Sequence, residues 1–190
     1  MGPIHFIIDQ DIELRLLAEQ DAPALFSLIE QNRPYLREWL PWVDYTRSAE
    51  DERAFIRSLY EQYKGNHGFA CGIWYQGQIT GTIGYHPIDW AHHKVEIGYW
   101  LAANYQGKGL MTNACRAMIT YAFDTLKLNR VEIRCATGNI RSCAIPQRLD
   151  FKFDGIVKQG EWLYDHFVDL FLYSMLAGDW EKQRDVQHEK

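Results

Sequence analysis

The chain has 190 residues, with 20 Lys and Arg against 25 Asp and Glu, for a formal net charge of −5. One domain is the default at this length, and a 47 % hydrophobic, 14 % aromatic composition is enough to build a sizeable core. The acidic balance argues against a general nucleic-acid binder, which shows a basic face, and suits a cationic acceptor such as an amine. No run of 18 apolar residues predicts a membrane span, and no basic stretch followed by an apolar run and a cleavage site marks a secretion signal. Cys71, Cys115, Cys135 and Cys143 form no C-x-x-C pair, so four reduced thiols in a cytoplasmic protein are expected.

In chain order, Ile12 to Leu17 reads as a first strand. Asp21 is a candidate cap for a helix with Pro23 in its first turn and Leu25, Phe26, Leu28 and Ile29 on its apolar side. Asn32 to Val43 is a short helix and loop unusually rich in large apolar groups. Its Trp39 and Trp42 fit either a packed core or one wall of an acceptor groove. Ser48-x-x-Asp51 reads as a capping box opening a helix that ends near Gly65. His67 to Tyr75 and Ile79 to His86 are strands joined at Gln76-Gly77-Gln78, and Pro87 to Lys94 is a loop.

Val95 to Thr112, V-E-I-G-Y-W-L-A-A-N-Y-Q-G-K-G-L-M-T, organises the rest. Val95, Ile97, Tyr99 and Leu101 alternate with Glu96, Gly98 and Trp100, the period of a strand. Leu110, Ala114, Ala117, Met118 and Tyr121 then recur at helical spacing, to about Leu126. Between them Gln106-Gly107-Lys108-Gly109 makes a glycine turn at a helix start. Unpaired N–H groups and the helix dipole suit a phosphate there. A dinucleotide fingerprint would need glycine where Thr112 stands, and no G-K-[ST] completes a Walker loop.

Arg130 to Ala136 is another strand. Arg141 to Leu149 is a short helix, which Pro146 should delay or bend. Phe151 to Lys158 and His166 to Leu176 are the last strands, with Gln159-Gly160 near the turn. The tail after Trp180 is polar and expected to fray.

Gln106, Gly109 and Met111 stand at the defined positions of Q/R-x-x-G-x-G/A, the acetyl-coenzyme A signature of the GNAT N-acetyltransferases, which this segment resembles. Met111 departs from Gly/Ala, as is common in the RimJ/RimL-like, ribosomal-protein branch. E-I-G-Y-W-L, N-x-x-S at Asn139 to Ser142, L-D-F at Leu149 to Phe151 and the late Y-S-M-L resemble that branch too. Asp150 replaces the usual glycine of L-G-F, and would tolerate a positive φ there better than most residues. The resemblance spans about residues 12–180. It implies an α+β fold: a central mixed, mostly antiparallel sheet flanked by helices, in a single domain of residues 1–190 with a polar tail at 181–190.

The resemblance also implies acetyl-CoA as co-substrate, with direct transfer to an amine in a ternary complex. The backbone of Tyr99, Trp100 and Leu101 would bind pantetheine where the strand splays from its neighbour. Gln106, Gly107, Lys108, Gly109, Leu110, Met111 and Thr112 would take the diphosphate, and Asn139 and Ser142 would hold the pantetheine arm and the sulfur. Glu96 is the candidate base, acting directly or through water, with a pairing to Arg130 or Arg134 as its structural alternative. Gly98 beside it leaves a side-chain-free spot for substrate. Ser142 is the candidate proton donor to the leaving thiolate, and Ser142 and Asn139 are equally good helix caps. Trp39, Trp42 and Trp90 are candidate acceptor contacts. His86, His92 and His93 form no zinc-ligand pattern, so no metal is expected, and they fall with Asp89 and Trp90 near the acceptor side.

The acceptor implied is a protein N-terminal α-amine, as on a ribosomal protein. A polyamine- or aminoglycoside-type small amine and a non-catalytic acyl-CoA-binding module stay open as alternatives. No nucleic acid or membrane partner is expected, and a homodimer is allowed.

Overall fold

The computed structural model describes residues 4–188. Among the described residues, eight strands form one sheet in the order β1-β2-β3-β4-β5-β6-β8-β7. They are β1 (His5–Ile7), β2 (Ile12–Leu16), β3 (Ala70–Tyr75), β4 (Gln78–Tyr85), β5 (Lys94–Leu101), β6 (Arg130–Ala136), β7 (Lys152–Leu163) and β8 (His166–Leu176). Among the same residues, five helices flank it: α1 (Ala22–Arg37), α2 (Ala49–Lys64), α3 (Leu110–Thr120), α4 (Ile140–Arg148) and α5 (Ala177–His188). Every neighbouring pair of strands is antiparallel except β5 and β6, which run parallel.

The alternation along β5 sorts its side chains onto two apolar layers. Val95 and Ile97 are buried in the larger cluster with Met111, Ala114, Cys115 and Met118 of α3, and Tyr99 and Leu101 pack against it. Trp100, on the other face, packs against a second cluster built from Leu25, Ile29, Leu36 and Ile56 of α1 and α2. The sheet is therefore covered on both sides at β5. Both faces of that strand exclude water wherever a cleft does not open.

Local chemistry accounts for most of the boundaries. Gln76 and Gly77 have φ of 51° and 77°, the two positive values of a tight hairpin turn between β3 and β4. Ser48 caps α2, its hydroxyl accepting from Asp51 N at 3.2 Å. The Asp51 carboxylate answers by accepting from Arg47 N and the Ser48 hydroxyl. Asp150 sits at φ 57°, as its replacement of a glycine anticipates.

Four expectations are corrected. The helix begun at Ala22 runs through Pro34 to Arg37 instead of breaking near Asn32. Asp21 accepts from Ala18 N and does not cap the helix with its side chain. The turn between the last two strands lies at Tyr164-Asp165, because the segment around Gln159-Gly160 is a bulge inside β7. Val157 pairs with Leu170 and Glu161 with Val168, so four steps on one strand match two on the other. The polar tail is helical as far as His188, with Trp180 buried as its anchor. A short first strand, β1, precedes the expected one.

Close backbone approach fixes Gly81 on β4. A Cβ there would lie 2.2 Å from Trp100 O and 2.8 Å from Leu101 Cα, both main-chain atoms that cannot swing away. Gly81→Ala should therefore lower stability by about 1–3 kcal/mol, the usual range for overpacking. A urea titration checks it: the midpoint should fall while the m-value holds.

Candidate active site

β5 and β6 are paired at only three positions, Lys94↔Arg130, Val95↔Val131 and Glu96↔Glu132. Beyond them β5 stays with β4 as far as Leu101, and β6 stays with β8 as far as Ala136. The two strands part like a V, and the N-terminus of α4 faces the opening. Asn139 caps that helix by accepting from Ser142 N at 3.1 Å. Tyr99 of β5 reaches across and donates from its hydroxyl to Ser142 O at 3.1 Å, while the Ser142 hydroxyl donates to the Tyr99 oxygen at 3.4 Å. Burial holds the Tyr99 phenol well above its ordinary pKa, so it stays protonated.

Two clefts open from this point. The first, of about 1100 Å³, is lined by Tyr99, Trp100 and Leu101, by the turn at Gln106, Gly107 and Gly109, by Leu110, Met111 and Thr112, and by Asn139 and Ser142. Gly107 and Gly109 have φ of 76° and 78°. A Cβ on Gly107 would touch nothing and one on Gly109 only the Asn113 amide at 3.9 Å, so glycine is needed there for its backbone angle and not for space. Gly109 caps α3, and the first helical amide to find a backbone acceptor is that of Asn113, on Gly109 O at 3.0 Å. The preceding amides line the cleft at the positive end of the helix dipole, which suits a diphosphate.

Arg141 and Arg148 of α4 also face this cleft. Arg141 donates to Gln106 Oε1 at 2.8 Å, and the other end of the same amide donates to the Tyr35 hydroxyl. Gln106 thus ties α1 to α4 across the turn. The Lys108 ammonium instead lies 5.6 Å from the Tyr75 ring, and its side chain does not line the cleft.

The second cleft, of about 790 Å³, opens on the opposite side and shares Trp39, Leu40, Tyr99, Trp100, Asn139 and Ser142 with the first. Glu96, Trp42, His86, Arg134, Glu161 and Glu52 line it too. Glu96 is ion-paired with Arg134, Nε to Oε2 at 3.3 Å, and Arg134 also reaches Glu132 at 3.7 Å. Of the two arginines considered as its partner, Arg134 is the one engaged; Arg130 turns to Glu132 and Asp154. The space over Gly98 is taken by an imidazole: a Cβ on Gly98 would meet His86 Nε2 at 2.7 Å. Trp90 does not line either cleft. It packs on the larger core cluster and its indole donates to Asn66 O at 2.7 Å. His92 and His93 lie outside both clefts as well.

Glu161 and Glu52 carry no local sequence signal. Glu161 arrives from the far end of the chain, aimed by the β7 bulge, and burial, with the Glu96 charge second, raises its pKa while His86 opposes the rise. Glu52 is 3 % exposed, and burial pushes its carboxyl up to about 7 even though the Thr46 hydroxyl hydrogen-bonds to it. Cys135 lines the second cleft, and burial drives its thiol up to about 12, far from a ready nucleophile.

With this geometry in view, residues 11–152 match the model of the acetyltransferase (GNAT) domain. The chain belongs to the GNAT acetyltransferase family. It is 39 % identical over 178 residues to the putative ribosomal N-acetyltransferase YdaF of Bacillus subtilis, covering 93 % of this chain and 97 % of that one. It is 28 % identical over 169 residues to the ribosomal-protein-serine acetyltransferase of Escherichia coli, covering 89 % and 94 %. Among solved structures it resembles RimL, the ribosomal L7/L12 α-N-protein acetyltransferase, in complex with coenzyme A (TM-score 0.88, 28 % identity, 93 % and 99 % covered). It also resembles the microcin C7 self-immunity acetyltransferase MccE in complex with acetyl-CoA and AMP (TM-score 0.86, 30 % identity, 89 % and 94 % covered). The protein is an acetyl-CoA-dependent N-acetyltransferase with the GNAT fold.

The buried Glu52 has a consequence for stability. Its carboxyl titrates near 4.5 when unfolded and near 7 when folded, so between those values the native state holds the extra proton. Stability contributed by this group is present below about pH 4.5 and is lost as pH rises to about 7. The shift corresponds to roughly 3 kcal/mol at about 1.4 kcal/mol per unit. Glu52→Gln removes that loss. The melting temperature of the variant should exceed wild type at pH 8 and converge with it near pH 4.5 in paired thermal scans.

Proposed function

We propose that the protein acetylates the N-terminal α-amine of a protein, a ribosomal protein being the favoured acceptor, by direct attack in a ternary complex. The observation that carries this reading is the meeting of the two clefts at Tyr99, Trp100, Asn139 and Ser142. One cleft suits an anionic thioester carrier, the other brings carboxylates toward the same point. The ribosomal-protein acetyltransferases among its relatives support the choice of acceptor.

On this reading the amides of Gly107 to Thr112, with Arg141, take the diphosphate of acetyl-CoA. The unpaired edge of β5 from Tyr99 to Leu101, together with Asn139, holds the pantetheine arm. A backbone N–H of that edge meets the oxyanion. Trp39 and Trp42 wall the acceptor. Glu96 receives the amine's proton, directly or through water; an α-amine near pKa 8 needs only a modest base. Ser142, oriented by Tyr99, protonates the leaving thiolate. One observation favours a second reading of the base. Glu96 is held by Arg134, whereas Glu161 faces the same cleft with its pKa raised and, among the described residues, without an ion-pair partner. Glu161 would then take the proton and Glu96 would hold the ammonium.

The test is thiol release from acetyl-CoA against N-terminal peptides, polyamines and aminoglycosides. Peptides should be the best acceptors; exclusive use of a small amine would overturn the acceptor assignment. Glu96→Gln and Glu161→Gln, run across pH, separate the bases. The residue that acts as base should lose about 10²-fold or more in kcat, most at low pH, with coenzyme A affinity unchanged. Ser142→Ala should slow turnover by about 10²-fold with little change in cofactor binding; undiminished turnover removes it from the mechanism.

A further inference from the structure

We infer that Glu52 is the recognition point for a second cationic group, an ammonium or guanidinium, on the acceptor. The inference rests on the acetyl-transfer reading above and adds the chemistry of the substrate's far end. Glu52 projects from the first turns of α2 into the same cleft as Glu96. Ile56, one helical turn further along α2, belongs to the apolar cluster on which Trp42 and Trp100 pack. Trp39, Trp42 and Phe55 supply aromatic walls to the same cleft.

A carboxyl on a residue only 3 % exposed is costly unless paired. Among the described residues no Lys, Arg or His forms an ion pair with Glu52. Its hydrogen-bond partner is the Thr46 hydroxyl, which leaves acceptor capacity on the carboxylate unused. Asp51 beside it is spent on the α2 cap and adds like charge. Core packing alone would be served better by an apolar residue of the same volume. A cation entering the cleft supplies the missing partner, and the raised pKa means that its arrival also favours ionisation of the group. The apolar walls suit a methylene chain between the two cationic ends, as in a long diamine or in a lysine side chain close to a peptide N-terminus.

The experiment compares matched acceptors with the full chain and acetyl-CoA. One arm uses N-terminal peptides differing only in lysine or norleucine at the third residue; the other uses 1,8-diaminooctane and octylamine. Wild type should favour the dicationic member of at least one pair by about tenfold in kcat/KM, and Glu52→Gln and Glu52→Leu should bring that ratio close to one. Preference confined to the peptide arm identifies a polypeptide acceptor, and preference confined to the amine arm identifies a free diamine. A wild-type ratio near one in both arms overturns the inference, as does a ratio that survives in whichever variants fold. If no amine releases thiol, the acetyl-transfer reading fails on its own. Calorimetry with coenzyme A present then decides the Glu52 role: tighter binding of diaminooctane than octylamine, lost in Glu52→Gln, supports it, and equal binding ends it.

Discussion

The parting of β5 from β6 after Glu96 and Glu132 is the constraint on which the site depends. Two interior strands that separate leave main-chain N–H and C=O groups without a ladder partner, and buried groups of that kind must find partners elsewhere. Here each strand keeps its outer neighbour, β4 for β5 and β8 for β6, so the gap does not unravel the sheet. The unpaired inner edges face a space that α3 and α4 frame from the large-core side and α1 and α2 frame from the other. An extended, amide-bearing pantetheine arm is the kind of ligand that can replace the missing ladder. The glycine turn at Gly107 and Gly109 lines the same space.

One bond from β5 to α4 is made possible by a proline. In an unbroken α-helix, residue 146 would donate to the carbonyl of Ser142. Pro146 has no N–H, so that carbonyl is left without its helical partner. The Tyr99 hydroxyl takes the place of the missing donor. A residue that reads as a helix breaker neither delays nor ends α4, which begins at Ile140 and runs past it to Arg148. Instead it frees one acceptor that ties the far wall of the gap to β5. The same bond brings the Ser142 hydroxyl to the Tyr99 oxygen, so the scaffold and the candidate proton donor are positioned together.

Much of this was legible in the sequence because its causes are local. The alternation from Val95 to Leu101 predicts which face of β5 meets the main core. The glycines at 107 and 109 predict positive φ before a helix, and Asp150 in place of glycine predicts the third such position. Where causes are not local, the reading failed. Gln159-Gly160 has turn chemistry but sits in a bulge, since the strand resumes with Glu161 aimed into the cleft and turns only at Tyr164, whose hydroxyl donates to Leu40 O at 2.6 Å. Gly98 looks like a vacant spot until β4 ends and delivers His86 over it. Trp90 looks like a substrate contact until its loop folds back onto Asn66. Glu52 looks like an ordinary charge in a helix's first turn; its significance comes from burial, which neither charge nor spacing reveals.

Charge on the acceptor side is distributed unevenly, and that unevenness bears on the chemistry. Arg134 links Glu96 to Glu132, and Glu132 is held in turn by Arg130 at 2.7 Å and approached by Lys94 at 4.0 Å. This network keeps the carboxylates at the base of the V in place and leaves Glu96 a positioned anion rather than a free one. Glu161, contributed by a different strand pair, is pushed toward its neutral form by burial first and by the Glu96 charge second. Two carboxyl groups with such different surroundings suit different tasks at one amine: an ion-paired one attracts and orients an ammonium, and one whose pKa is raised is the stronger proton acceptor. Exchanging the surroundings would exchange the tasks, which is why the partner of Glu96, and not its place in the motif alone, bears on what it does.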